Sequence, residues 1–145
     1  MQYASERFGI VATIDPDAYT AGAQTSDVID MLKWHKVMFI FMSGDLGASA
    51  TLDGVIKGDT TSGGSFSTTI TGKAMTQFTQ AGTDSDKQAI VEINGDEVLA
   101  QGFRYVRATM TIGTATSDAG MIALGECRYQ PVTDHDLDSV DEVVT

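Results

Sequence analysis

Apolar residues in this chain fall in short segments separated by stretches rich in Gly, Ser, Thr and Asp, and the densest segment spans residues 37–42. Alternate side chains of a strand point to opposite faces. One face would carry Val37, Phe39 and Phe41, and the other would carry Met38, Ile40 and Met42. We expect the first face to fill the core and the second to meet a covering element or another subunit, because Met packs adaptably. The two roles could also be exchanged.

Further short segments with strand-like patterns recur along the chain, and none shows a long 3.6-residue period. The segment GDEVLAQG predicts a short helical turn between glycines, and Ser26-Asp27 predicts either the cap of a helical turn over 28–34 or a corner between strands. The fold class predicted is therefore all-β, an antiparallel β-sandwich or jelly roll of about seven or eight strands. The strands are expected in the segments 36–43, 49–60, 66–80, 88–94, 103–113 and 121–130.

The chain divides by pattern into three parts: an extended N-terminal arm at 1–18, a sandwich domain at 19–131 and an acidic C-terminal tail at 132–145. The arm ends at the turn-type cluster Asp15-Pro16-Asp17. It is either a disordered terminus or a strand that docks on a neighbour, since its apolar residues are costly to leave in water. The tail has no Lys or Arg, and it is either solvated or docks on a basic surface of a partner.

Charge and composition narrow the possible partners of this 145-residue chain, whose length fits one domain. The net charge of −11 argues against binding to nucleic acid or to an anionic membrane, because both need clustered Lys and Arg. The single cysteine, Cys127, excludes an internal disulfide, fits a reducing compartment and is expected to be a structural thiol. We expect no secretion signal at the N-terminus, and the run at 37–42 is too short to be a membrane helix.

Residues that could support catalysis or metal binding are sparse, and we expect neither an enzyme nor a bound cofactor or metal. His35 and His135 are the only histidines, and neither belongs to a recognisable nucleophile motif. The acidic pairs Asp84/Asp86 and Asp15/Asp17 resemble fragments of calcium loops but complete no such motif. We interpret these pairs as turns in which Asp side chains accept hydrogen bonds from nearby N–H groups.

Four aromatic residues leave open a carbohydrate-binding alternative. Trp34, Phe103, Tyr105 and Tyr129 could line a platform for sugars. They are spread along different strands, where packing in a core or an interface is the ordinary role of such residues.

Residues 27–129 resemble small virion proteins of tailed bacteriophages, most closely the capsid decoration (cement) proteins. The segments that carry the resemblance are DVIDMLKWHKVMFIFMSGDLG, ITGKAMTQFTQAGTDSDKQAIVEI and GFRYVRATMTIGTATSDAGMIALGECRY. The resemblance implies a β-sandwich or jelly-roll subunit that binds the outside of an icosahedral head, forms a homotrimer, and has the major capsid protein as its partner. It implies no catalytic residues.

The sequence and the resemblance together predict a decoration protein that assembles in the host cytoplasm and stabilises the phage head. Another virion part, such as a tail, head–tail connector or fibre subunit, is the first alternative, and a carbohydrate-binding sandwich is the second. The candidate interaction residues are apolar side chains of the arm and of the second face of the central strand: Phe8, Ile10, Val11, Met38, Ile40 and Met42.

Overall fold

The computed structural model describes residues 3–129 and 132–144, and strands make up most of its regular structure. A short 3₁₀ turn at Ala4–Glu6 precedes the first strand. The strands are β1 (Phe8–Tyr19), β2 (Gly22–Thr25), β3 (Ile29–Asp30), β4 (Trp34–Ser43), β5 (Thr51–Asp59), β6 (Thr68–Ala74), β7 (Phe78–Thr79), β8 (Gln88–Asn94), β9 (Tyr105–Gly113) and β10 (Ser117–Cys127), with one helix, α1 (Gly95–Ala100), between β8 and β9.

The strands form two sheets that pack as a sandwich, so the predicted fold class is confirmed. The first sheet has the order β1-β10-β4-β8, and the second has the order β2-β9-β5-β6, with β3 also paired to β9 and β7 also paired to β5. Every pairing is antiparallel. The strand count exceeds the predicted seven or eight partly because β3 and β7, at two residues each, are too short to give a pattern.

The core lies between the two sheets, and β4 supplies its largest side chains. Val37, Phe39 and Phe41 are each at most 1% exposed, so this face of β4 is the inner one, as predicted. A methyl group added at Gly54 of β5 would lie 2.8 Å from the Phe41 ring. Gly54 therefore allows the ring to approach the backbone of the opposite sheet closely.

Helix α1 is the short turn that the sequence predicts at 95–102. The side chain of Asn94 accepts a hydrogen bond from the Glu97 N–H (2.8 Å), and the Glu97 carboxylate accepts one from the Asn94 N–H (3.2 Å). This reciprocal pair is a capping box, which satisfies donors at the start of the helix.

The segment after Ser26 is a corner between strands, so the helical alternative for 28–34 is wrong. Strand β3 pairs there with β9, and a turn leads directly into β4. Arg104 fixes the corner because its guanidinium donates two hydrogen bonds to the Asp30 carboxylate, at 3.0 and 2.7 Å. These bonds stabilise the charged carboxylate and lower the pKa of Asp30.

The N-terminal segment differs from the expected arm, because residues 8–19 form an edge strand of the chain's own first sheet. Strand β1 pairs with β10 from Phe8 to Tyr19, with register shifts between Ile10 and Ala12 and between Ile14 and Asp17. The Asp15-Pro16-Asp17 cluster thus makes a bulge and does not end the strand, and Pro is tolerated at such an edge. The buried side chains of Ala12 and Ile14 explain why the segment docks here.

The C-terminal segment from residue 132 also folds back on the chain. The N–H of Val132 donates to the Glu6 carbonyl (3.3 Å), and the N–H of Asp136 donates to the Ile10 carbonyl (2.7 Å). Residues 132–139 thus run beside the outer edge of β1. This differs from both expectations for the tail, which were that it is solvated or that it docks on a basic surface of a partner. The predicted boundary at 131 lies outside the described residues.

Helix α1 has six residues, and no helix in the described part of the chain is long and apolar enough to cross a membrane.

Candidate functional site

The side of the first sheet that faces away from the core carries an unusual number of apolar side chains. We call it the outer face, and it consists of Phe8 and Ile10 of β1, Met38, Ile40 and Met42 of β4, Ile90 of β8, and Ile122 and Leu124 of β10. A solvated sheet face normally alternates polar residues against the buried ones. The outer face therefore needs an explanation beyond the stability of the fold.

Strand register brings these residues together in rows, because directly paired residues of antiparallel strands point to the same side. Ile40 of β4 lies between Ile90 of β8 and Ile122 of β10. This row is apolar across three strands, and no single segment of the sequence contains it. The neighbouring row contains Glu92, Met38, Leu124 and Ile10, and the next one contains Asn94, Lys36, Glu126 and Phe8.

Five of the six predicted interaction residues lie on the outer face. Phe8 is 46% exposed, and the other four are partly exposed. Val11 is the exception, since it is 6% exposed and belongs to the core. A methyl group added at Gly125 would lie 2.7 Å from Val11, which shows how closely its side chain packs on β10. Val11 is therefore not offered to a partner.

Sequence reasoning missed three members of the outer face: Ile90, Ile122 and Leu124. Ile90 is 61% exposed, the most exposed isoleucine of the described chain. The signal that could have found them is the one used for β4, namely apolar residues on both alternating faces of one strand. In QAIVEIN, the side chain of Ile90 points to one face of the strand, and those of Val91 and Ile93 point to the other. In MIALGEC, Ile122 and Leu124 share one face, and Met121 and Ala123 share the other.

An open cleft of about 620 Å³ occupies one end of the outer face. Phe8, Met38 and Leu124 give it an apolar floor, and charged side chains including Lys36, Glu92 and Glu126 border it. At its rim Lys73 donates a hydrogen bond to Glu97 (3.2 Å), which lowers the pKa of that carboxyl. The cleft can bury an apolar side chain of a partner and orient it with charges of both signs.

The acidic pairs considered for calcium serve local structure instead. Asp84 accepts hydrogen bonds from the Thr79 N–H (3.0 Å) and from Lys87 (2.9 Å), and these bonds lower its pKa. Asp17 accepts a hydrogen bond from the Ala18 N–H (2.7 Å). Within residues 3–129 and 132–144, no three His, Cys, Asp or Glu side chains are grouped so that they could hold a metal ion.

The remaining candidates for chemistry lie apart from the outer face. Trp34 and Tyr129 line one small cleft of about 130 Å³, but Trp34 is only 4% exposed, so its ring is not open for a sugar to stack on. Cys127 is buried, as its position in the pattern indicates. His35 lies beside Arg128 (3.4 Å), and His135 lies against Gly9 of β1. The outer face is therefore the candidate functional site of this fold.

Comparison with known proteins gives a fold-level likeness at low similarity. No protein-family model matches the sequence, and none of the curated proteins matches it. Solved structures that match include infectious bursal disease virus of the Gt strain (14% identity, 86% of this chain and 32% of that chain, TM-score 0.45). The Gx strain of the same virus gives 14% identity over 86% of this chain and 34% of that chain (TM-score 0.40).

A third match is the VP2 subviral particle of infectious bursal disease virus, with 15% identity over 83% of this chain and 32% of that chain (TM-score 0.42). This chain thus spans about a third of the length of the chains it matches. At these TM-scores the likeness carries no argument about function, which must be sought in the outer face.

Proposed function

We propose that this chain is a structural protein of a virion, and more specifically a capsid decoration protein of a tailed bacteriophage. It would bind the outer surface of the icosahedral head through its outer face and stabilise the shell, with the major capsid protein as its partner. The resemblance of residues 27–129 to phage decoration proteins supports this class. The role is non-enzymatic, and assembly would take place in the host cytoplasm.

The observation that carries the proposal is the outer face itself. Four strands spaced at about 4.8 Å, and about six residues of strand length at 3.4 Å each, give it an area of about 400 Å². This area includes polar residues such as Glu92 and Gln88, and exposed apolar patches of a few hundred Å² on a single chain are often functional. Burying its apolar side chains against a shell would release ordered water over the whole area, which is the main driving force for protein association.

Oligomerisation would strengthen such attachment. The resemblance implies a homotrimer, and three linked copies bind a repeating surface far more tightly than one copy does. A high net negative charge would keep the unbound protein soluble despite its exposed apolar face.

The direct test adds the purified protein to expanded phage heads that lack it. We expect saturable binding in hundreds of copies per head and a rise in the melting temperature of the shell. Copy number separates the decoration role, in which copies cover the shell, from that of a connector, which is present in far fewer copies. A protein that does not bind heads, or binds without changing their melting temperature, would overturn the proposal.

Two variants connect the result to the outer face. Ile40→Asp places a charge in the centre of the apolar row, and we expect it to abolish binding to heads. Leu99→Asp is the matched control, because Leu99 is an exposed apolar residue (46%) on α1, outside the outer face. Equal binding by the Ile40→Asp variant and the wild type would show that another surface contacts the shell.

A further inference from the structure

The two edge strands of the first sheet differ in whether another segment of the chain covers them. Residues 132–139 run beside the outer edge of β1, where the Asp136 N–H donates to the Ile10 carbonyl and the Ser139 hydroxyl donates to the Asp15 carboxylate. Strand β8, at the other edge, pairs only with β4 in the part of the chain that the structure describes. An uncovered edge strand offers its N–H and C=O groups to another strand.

The groups offered by β8 follow from the direction of its known hydrogen bonds. The N–H of Ser43, at the end of β4, donates to the Lys87 carbonyl (2.9 Å), so Lys87 faces β4. Backbone groups of successive strand residues point alternately to the two sides. The residues whose N–H and C=O groups face outward are therefore Gln88, Ile90 and Glu92.

Among the residues that the structure describes, only one of these outward groups has a hydrogen-bond partner. Lys73 of β6 donates to the Glu92 carbonyl (2.8 Å), which confirms that this carbonyl faces away from β4. A cleft of about 570 Å³ then separates Ala89–Glu92 from β6 and the residues that follow it. This cleft leaves space along the edge at Ile90. A carbonyl oxygen has two lone pairs, so Glu92 can accept a second hydrogen bond.

We propose that β8 pairs in solution with β8 of a second copy of this chain, antiparallel and about a two-fold axis at Ile90. The contact is isologous, with the same strand supplied by both copies. Ile90 of each copy then lies opposite Ile90 of the other. The two four-stranded sheets become one continuous sheet whose outer faces are joined.

The side chains of β8 favour this partner and this register. With the axis at Ile90, Gln88 of one copy lies opposite Glu92 of the other, and an amide can donate to a carboxylate. A shift that set Glu92 against Glu92 would bring like charges together. The central pair is apolar, and the 61% exposure of Ile90 would fall as it packs on its counterpart.

The area of the outer face gives a second argument for pairing. One outer face of about 400 Å² is half of the roughly 800 Å² that each partner contributes to a standard protein interface. Two joined faces reach that area. This comparison of areas rests on the proposed function, whereas the pairing of the two β8 strands does not. A three-fold contact between subunits would use other surfaces of the chain, so a trimer and this pair are compatible.

A cysteine at the axis tests the contact directly. The Cα atoms of opposed residues in such a pair lie about 5.5 Å apart, within the range that a disulfide spans. We expect Ile90→Cys to give a covalent dimer under mild oxidation of the purified protein. The control is Leu32→Cys, because Leu32 is also exposed (45%) but lies in the turn between β3 and β4, outside β8. No covalent dimer from Ile90→Cys, or one formed no faster than from the control, would overturn the pairing.

The register is tested by charge at the position opposite Glu92. Gln88→Glu would set carboxylates against each other and should weaken the dimer at least tenfold by sedimentation equilibrium. Gln88→Lys would set an ammonium group against the carboxylate and should tighten it. Equal dissociation constants for the two variants would refute this register. The measurements use the protein alone, so they can fail while binding to heads succeeds, and the reverse also holds.

Discussion

Phe39 and Ile40 are neighbours in the sequence whose side chains meet opposite environments. Phe39 is fully buried between the sheets, and Ile40 lies in the apolar row of the outer face. We expect Phe39→Ala to lower the free energy of unfolding by about 3–5 kcal/mol, through lost burial and the cavity left behind. Ile40→Ala should lower it by about 1 kcal/mol or less, because its side chain is already partly exposed and lies outside the core.

Urea denaturation of the two variants measures the difference between these faces. The slope of the free energy with urea should stay unchanged in both, so that the midpoints report stability. If Ile40→Ala lowered the free energy of unfolding as much as Phe39→Ala does, the apolar residues of the outer face would be explained by the stability of the fold alone. In that case these apolar residues would no longer indicate that a partner covers this face.

At the scale of elements, strand faces could be predicted from the sequence and strand neighbours could not. Alternation gave β8 with its observed bounds and the buried face of β4, because these features depend on residues close together in the chain. The row of Ile90, Ile40 and Ile122 depends on pairing between β8, β4 and β10, which lie far apart in sequence. The bulges that carry β1 past Pro16 follow from tertiary pairing and have no local signal.

The segment that docks beside β1 contains a carboxyl whose charge opposes the docking. Burial raises the pKa of Asp136, and the nearby charge of Asp27 raises it further. A raised pKa in the folded state means that the protonated form stabilises the docked segment. This stabilisation is complete below the unfolded value, near 3.8, and is lost as the pH rises through the folded pKa. Docking should therefore be weaker at pH 7 than in acid.

Asp136→Asn should remove this pH dependence and protect the segment at pH 7. The Asp136 N–H that donates to Ile10 is the probe, since its amide exchange by NMR reports docking. Asp134→Asn is a control of opposite sign, because Asp134 forms an ion pair with Lys33 (3.1 Å) that the change would break. Slower exchange in the wild type at pH 7 than in Asp136→Asn would contradict the argument.

At the scale of the whole molecule, an acidic chain and an apolar outer face predict a particular response to salt. The net charge of −11 makes copies repel one another as they crowd on a head. Raising ionic strength from about 0.05 to about 0.5 M shortens the screening length to a few ångströms and removes most of this repulsion. Burial of apolar surface is not weakened by the same change, and sulfate strengthens it.

Affinity for heads should therefore hold or rise across this range of salt, and rise further when sulfate replaces chloride. The measurement is the bound fraction after sedimentation of heads at each salt concentration, with Ile40→Asp as the variant that lacks the apolar contact. Binding that falls steeply with salt would mean that charge pairs hold the protein on the shell. The contact would then lie among the acidic loops, and the outer face would be left for contacts between copies.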